Sequence, residues 1–267
     1  MAVAKNGPVS EEGGRSARRV LAIFELMLQR GEPVTVAEVV RALRIPKSTA
    51  YELVRTLTAA GYLERNGTAT YFLGRKLFEL GMAYRSQMDL LKEGGKVVEE
   101  LRDETGETVQ LTVLEGSDVV YVEQVPSSKP VRSVGTMGQR APAHCVSGGL
   151  SQLALLPFER VRALLPSPLP RPTSASIPSL ERLEAELERV RARGFAINRG
   201  GFRHDVGGVG TAVIDVHGRA VASINICVPL FRLEELGVDR LGTLVVRAAA
   251  DVSQGSSLAA GAGAVGA

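Results

Sequence analysis

Residues 34–73 (VTVAEVVRALRIPKSTAYELVRTLTAAGYLERNGTATYFL) constrain this chain most, because apolar spacing changes there from helical to alternating and each change is punctuated. Thr35 is a good N-cap, and Glu38 three residues later completes a capping box. Val36, Val39, Val40 and Leu43 give a helix its inward face, and Arg44-Ile45 is a turn. Pro46 suits the first position of a second helix, where its missing N–H has no intrahelical partner to lose. Ala50, Leu53, Val54, Leu57 and Ala60 face inward from that helix, and Gly61 ends it. Residues 62–65 and 70–73 alternate like strands around Asn66-Gly67, a strong hairpin signal.

The outward residues of the second helix are Lys47, Ser48, Thr49, Tyr51, Glu52 and Arg55. Short hydrogen-bonding groups, cations and an aromatic at a helix N-terminus are what phosphate and base-edge contacts require. Capped helix, tight turn, Pro-opened helix and hairpin in this order spell a winged helix-turn-helix, which places one helix in the DNA major groove. Tyr51 is read as a DNA contact, with a half-buried packing role as its alternative. For the whole segment the alternative is a small helical domain with a hairpin that binds protein or nothing.

A first helix is expected over 16–30, with Ala17, Val20, Leu21, Phe24 and Leu28 as its stripe and Gly31-Glu32-Pro33 as its stop. A third helix is expected over 75–102, with 75–88 as a linker and Gly94-Gly95 as a candidate break. Strand-like runs at 108–114 and 119–125 flank the turn 115–118, and 131–134 is short and β-like. The Gly-rich segment 135–149 (GTMGQRAPAHCVSGG) leads into a helix over 150–156. No Gly-Lys-Ser/Thr follows it, so it is not a Walker loop. An amphipathic helix over 179–193, a strand start at 195–198, a loop over 199–208, strands at 210–216 and 220–228 around His217-Gly218, and a last helix at 233–252 complete the pattern. The expected class is α+β in two domains. They are a winged helix-turn-helix over 15–74 and a mixed domain over 89–252, with disordered tails at 1–14 and 253–267.

Composition excludes several classes. No apolar run approaches the ~18 residues of a membrane span, and the N-terminal stretch has no apolar core of a signal peptide, so a cytoplasmic protein is expected. Cys145 and Cys227 form no paired motif, and His144, His204 and His217 are not at metal-ligand spacing. No metal and no cofactor are expected. Residues 1–85 hold 13 Lys and Arg against 8 Glu and no Asp, whereas the remainder holds 19 basic against 21 acidic residues. An anionic partner is therefore expected at the N-terminal third.

The residues themselves resemble the IclR family of bacterial transcriptional regulators over about 15–252. IPKSTAYELVRTLTAAGYL is similar to that family's recognition helix, and GQRAPAHCVSGGLSQLALLP to its Gly-rich segment before a helix. RARGFAINRGGFRHDVGGVGTAVID with GRAVASINICVP looks like its closing hairpin. The resemblance implies a winged-helix domain, a linker helix and a GAF-like effector domain, assembled as homodimers and often as dimers of dimers. It implies operator DNA and a small organic acid as partners. It also implies an effector cavity lined by residues 140–149, Asn198, Val206, Gly208, Asn225 and Cys227. Glu52 stands where members commonly carry an Arg. That leaves Arg15, Arg18, Arg19, Lys47 and Arg55 as the main cations for DNA, beside Ser48, Thr49 and Tyr51. Asn198 replaces a frequent Asp, and Gly208 occupies a position that can be Cys. Losing a carboxylate and widening the cavity favour a bulkier anion, an aromatic carboxylate such as a hydroxybenzoate.

Within 140–149, Arg140, His144, Ser147, Gly148 and Gly149 are the expected cavity residues. Arg140 offers a bidentate grip on a carboxylate, with a surface ion pair as its alternative. His144 is equally a structural hydrogen-bonder. Adjacent strand residues point to opposite faces, so His144-Cys145 is poorly arranged for nucleophilic catalysis. The leading reading is a ligand-responsive repressor of a catabolic operon. The competing one is an enzyme acting on a small acid, with an accessory nucleic-acid-binding domain.

Overall fold

The computed structural model describes residues 14–67, 69–87, 89–133 and 135–255. The expected tails at 1–14 and 253–267 fall mostly outside them. The chain forms two compact units that divide between Gln87 and Met88.

The first unit contains α1 (Arg15–Arg30), β1 (Val34–Thr35), α2 (Val36–Leu43), α3 (Lys47–Ala59), β2 (Leu63–Asn66), β3 (Thr70–Leu73) and α4 (Arg75–Gln87). The capping box forms: the Thr35 hydroxyl accepts from the Glu38 N–H, and the Glu38 carboxylate accepts from the Thr35 N–H at 2.8 Å. The hairpin β2–β3 pairs Asn66 with Thr70, and β1 adds a third strand that periodicity does not signal in two residues. Ile23, Met27, Val39, Ala50, Val54, Leu57 and Leu63 close the core. The stripe expected on α1 is rotated in part: Val20 and Phe24 pack against the core as expected, but Ile23 and Met27 are its buried residues, while Leu21 and Leu28 are exposed. Both stripes have helical spacing, so period alone does not choose between them.

The second unit contains α5 (Asp89–Thr105), β4 (Thr108–Glu115), β5 (Asp118–Val125), β6 (Arg140–Pro142), a 3-10 turn at Ala143–Cys145, α6 (Ser147–Leu153), α7 (Phe158–Leu164), α8 (Leu180–Arg193), β7 (Ala196–Arg199), β8 (Val206–Ile214), β9 (Ala220–Pro229), α9 (Leu230–Leu236) and α10 (Val238–Gly255). Its antiparallel sheet has the order β6-β5-β4-β9-β8-β7. One face packs on α5 and α10 through Val109, Leu111, Ile224, Ile226 and Val245. A second core joins α6 and α8 through Leu150, Leu153, Leu183 and Leu187.

Several expectations change. Gly94-Gly95 lies inside α5 and does not break it. A Cβ at Gly94 would stand 2.6 Å from Leu111 Cδ1, so this glycine lets the helix press on the sheet. Residues 131–133 are irregular rather than β. The helix after the Gly-rich segment begins at Ser147, β8 begins at Val206, and the last helix is two, parted at Gly237 with φ 77°. No helix of the described residues is long and apolar enough to cross a membrane.

Candidate functional site

Two sites emerge, one in each unit. On α3, the side chains of Lys47, Ser48, Tyr51, Glu52 and Arg55 are exposed, and Thr49 is half-buried, while Ala50, Val54 and Leu57 anchor the opposite face. Tyr51 is 57 % exposed, so it is not a packing residue within this unit. Glu52 forms no ion pair with Arg55 or Arg44 among the described residues. On α1, Arg15 is exposed, and Arg18 and Arg19 are half-buried.

In the second unit, strand alternation does the sorting. Val109 and Leu111 on β4, with Ile224 and Ile226 on β9, turn towards α5 and α10. Their neighbours Gln110, Thr112, Asn225 and Cys227 therefore turn to the other face. There they line a pocket, partly open to solvent, with Tyr121, Ser133, Gln139, Ser147, Asn198, Phe202, Arg203, Val206 and Gly208 among its other walls. The floor is a hydrogen-bonded polar layer. The hydroxyls of Thr112 and Ser223 lie 2.6 Å apart, and Asn225 Nδ2 donates to Ser223 Oγ at 3.2 Å. The Cys227 thiol donates to Gln110 Oε1 at 2.9 Å, and burial pushes that thiol up to about 12. Burial likewise raises the Tyr121 phenol far above its ordinary range. Both are neutral donors at physiological pH. Among the described lining residues Arg203 alone carries a charge.

The structure brings Ser147, Gly148, Asn198, Val206, Gly208, Asn225 and Cys227 around this cavity and leaves three expected residues outside it. Arg140 sits on edge strand β6, where its guanidinium lies 3.7 Å from the Glu115 carboxylate in a partly exposed ion pair, and it does not line the cavity. His144 is buried, with Nε2 donating to Pro170 O at 2.8 Å, and burial lowers its basicity. His144 and Cys145 share a 3-10 turn rather than a strand, and both reach towards Pro170 O. They border a separate surface groove beside α8. Gly149 packs on that turn: a Cβ would stand 2.1 Å from Ala143 O. The Asn198 carboxamide accepts from the Gly201 N–H at 2.8 Å, so it also shapes the loop that carries Phe202 and Arg203. Gln110, Thr112, Tyr121 and Arg203 escape the sequence reading. Gln110 and Thr112 carried a signal, since they are the polar members of an alternating run that turns out to be buried. Arg203, in an irregular loop, carried none.

A DNA-reading winged helix-turn-helix joined in one chain to a sheet-built small-molecule cavity defines a ligand-responsive transcriptional regulator. Residues 16–67 match the IclR helix-turn-helix domain, and residues 82–254 match the bacterial transcriptional regulator IclR C-terminal domain. The chain belongs to the IclR family. It is 30 % identical to the transcriptional regulator SauR of Cupriavidus necator, over 84 % of this chain and 90 % of SauR. It is 27 % identical to the transcriptional repressor AllR of Escherichia coli strain K12, over 95 % of this chain and 94 % of AllR. Among solved structures, a transcriptional regulator from Rhodococcus sp. RHA1 matches with TM-score 0.78 and 29 % identity, covering 91 % of this chain and 98 % of that one. An IclR homolog from Microbacterium hydrocarbonoxydans, solved with 4-hydroxybenzoate, matches with TM-score 0.78 and 25 % identity, covering 89 % and 97 %. As a member of this family the chain is a transcriptional regulator, the role that the names of SauR and AllR carry.

Proposed function

We propose that the chain is a cytoplasmic repressor of a catabolic operon, released from its operator by a small aromatic carboxylate such as a hydroxybenzoate. The observation that carries this reading is that Arg203 is the one charged residue among the described lining residues, beside the apolar walls Phe202, Val146 and Val206. A guanidinium matches one carboxylate, apolar walls match a ring, and Gln110, Gln139 and Asn225 offer partners to a ring hydroxyl. The 4-hydroxybenzoate in the M. hydrocarbonoxydans homolog and the name of AllR as a repressor support the same assignment.

On the DNA side, Lys47, Ser48, Thr49, Tyr51 and Arg55 meet the major groove, and Arg15, Arg18 and Arg19 meet flanking phosphates. The protein acts as a homodimer, with dimers of dimers as the larger assembly. Support comes from α4, which exposes Phe78 and Met82 one turn apart on one side and Leu80 and Tyr84 one turn apart on another, apolar surface that a second copy could cover. Ligand binding then shifts the population between DNA-competent and DNA-incompetent states through its unequal affinity for them.

The test is a thermal-shift series with hydroxybenzoates and with two- and three-carbon acids, followed by a mobility shift on the upstream DNA. At a hundred times Kd the ligand stabilises the native state by about 2.7 kcal/mol. Hydroxybenzoates should raise Tm and release the DNA. Stabilisation by the short acids alone would reject the aromatic assignment.

A further inference from the structure

Among the described residues, Arg44 is the one non-glycine residue with positive φ: φ 52° and ψ 45°, at the C-cap of α2. That left-handed conformation is easy for glycine and costs any residue with a Cβ. The turn cannot relax out of it. Ile45, next in the chain, is buried in the core of the unit, and Pro46 restricts Ile45 to extended backbone. Glycine would satisfy the position without strain, so the arginine calls for a reason.

Packing does not supply one. The Arg44 side chain is exposed and has no hydrogen-bond or ion-pair partner among the described residues, Glu52 included. Arg41 and Lys47, on either side, are likewise exposed and without an acidic partner. A strained, solvated cation thus sits three residues ahead of the first residue of α3. At most about 10 Å of chain separates its Cα from that of Lys47. When the N-terminus of the second helix enters the major groove, the turn before it passes the flanking strand. We propose that Arg44 is a DNA-phosphate contact that fixes the approach of α3, retained despite a backbone that favours glycine. This rests on the DNA-binding role of the winged helix and adds to it a residue outside the recognition helix. Strain kept at an exposed residue with no structural partner points to function.

The full-length protein, titrated by fluorescence anisotropy against a labelled mixed-sequence duplex from 50 to 200 mM salt, tests it. Arg44→Gly should bind roughly five- to tenfold more weakly at the low-salt end. Its log K against log salt should flatten by about 0.9, the signature of one lost phosphate contact. Its Tm should rise by about 2–4 °C as the strain is released. Arg44→Lys should keep the wild-type salt slope and gain no Tm. A wild-type slope in Arg44→Gly, or a Tm equal to or below wild type, would overturn the inference. Failure of the wild type itself to bind the duplex at low salt would reject the DNA-binding reading, and the contact with it.

Discussion

Gly148 leaves Asn225 the room its carboxamide fills: a Cβ at Gly148 would stand 2.7 Å from Asn225 Oδ1, and also 2.5 Å from Thr112 Oγ1. Those atoms end short side chains in the polar floor, so none can swing away at low cost. Gly148→Ala should destabilise the protein by about 1–3 kcal/mol through overpacking. It should also remove any shift in Tm with aromatic acids. Gly95→Ala on α5, where a Cβ meets nothing within 4 Å, should instead stabilise by about 0.5–1 kcal/mol. Urea melts of the two variants check both signs.

Arg203 should decide ligand charge. If its guanidinium holds the carboxylate, Arg203→Ala weakens hydroxybenzoate binding by roughly ten- to a hundredfold, the value of a charge-assisted pair. The uncharged hydroxybenzamide should lose little between wild type and variant. Calorimetric titration of both ligands measures the difference. Equal losses for acid and amide would remove Arg203 from the carboxylate.

Acid should weaken the winged-helix unit through Glu38. Backbone donation from Thr35, then the Arg30 guanidinium at 2.5 Å, holds this carboxyl at about 2, well below the ordinary 4.5 of a glutamate. A depressed folded value means that the stabilisation is fully present above about 4.5 and is lost as pH falls from there towards about 2. Glu38→Gln keeps a cap acceptor and removes the titration. The variant should be less stable than wild type at neutral pH, and the two should converge near pH 2. Acid melts followed by helical circular dichroism report it.

Glu107 is fully buried beside two cations, with Lys129 Nζ at 2.7 Å and an Arg232 guanidinium N–H donating at 3.2 Å. Arg232 also donates to Val131 O, so this pair ties the 129–131 loop to α9. Removing one partner leaves a buried charge poorly compensated. Arg232→Ala should cost about 3 kcal/mol. The double variant Arg232→Ala with Glu107→Gln should recover part of that loss, as a double-mutant cycle of unfolding free energies would measure.

How far the sequence discloses this molecule depends on the range of the interactions. The winged helix is legible because its signals are local: a capping box closes over three residues, Pro46 over one turn, Asn66-Gly67 over one hairpin. The sheet of the second unit is legible as strands, since alternation is also local. The cavity is another matter. Gln110 on β4 and Cys227 on β9 meet only because those strands are neighbours, a pairing of distant segments that periodicity does not encode. Arg140 looked suitable for a carboxylate until its neighbour Glu115, across the β4–β5 turn, claimed it. Arg203 lies in a loop with no period at all.

The two cysteines should resist alkylation for the same physical reason at different places. Cys145 in the 3-10 turn and Cys227 on the cavity floor are both pushed up to about 12 by burial, from the ordinary 9.0 of a thiol. The thiolate is the nucleophile, so its fraction in the native state at pH 8 is on the order of one part in ten thousand. Iodoacetamide should label neither cysteine at pH 8 while the protein is folded, and both rapidly in denaturant. In native protein the rate should keep rising about tenfold per pH unit past pH 9, where an ordinary thiol levels off. The linked effect on stability has a definite sign. A raised acid value means that folding favours the neutral thiol, so stability is unaffected below about 9 and falls as pH rises from there towards 12. Cys227→Ser keeps a donor for Gln110 Oε1 and removes that titration, so its stability should fall less steeply above pH 9 than wild type. A bound hydroxybenzoate should slow the labelling of Cys227 at pH 9.5 and leave that of Cys145 unchanged, because Cys227 alone of the two lines the cavity. Peptide mapping of the alkylated protein with and without ligand separates the two sites, and equal protection of both would place the ligand elsewhere.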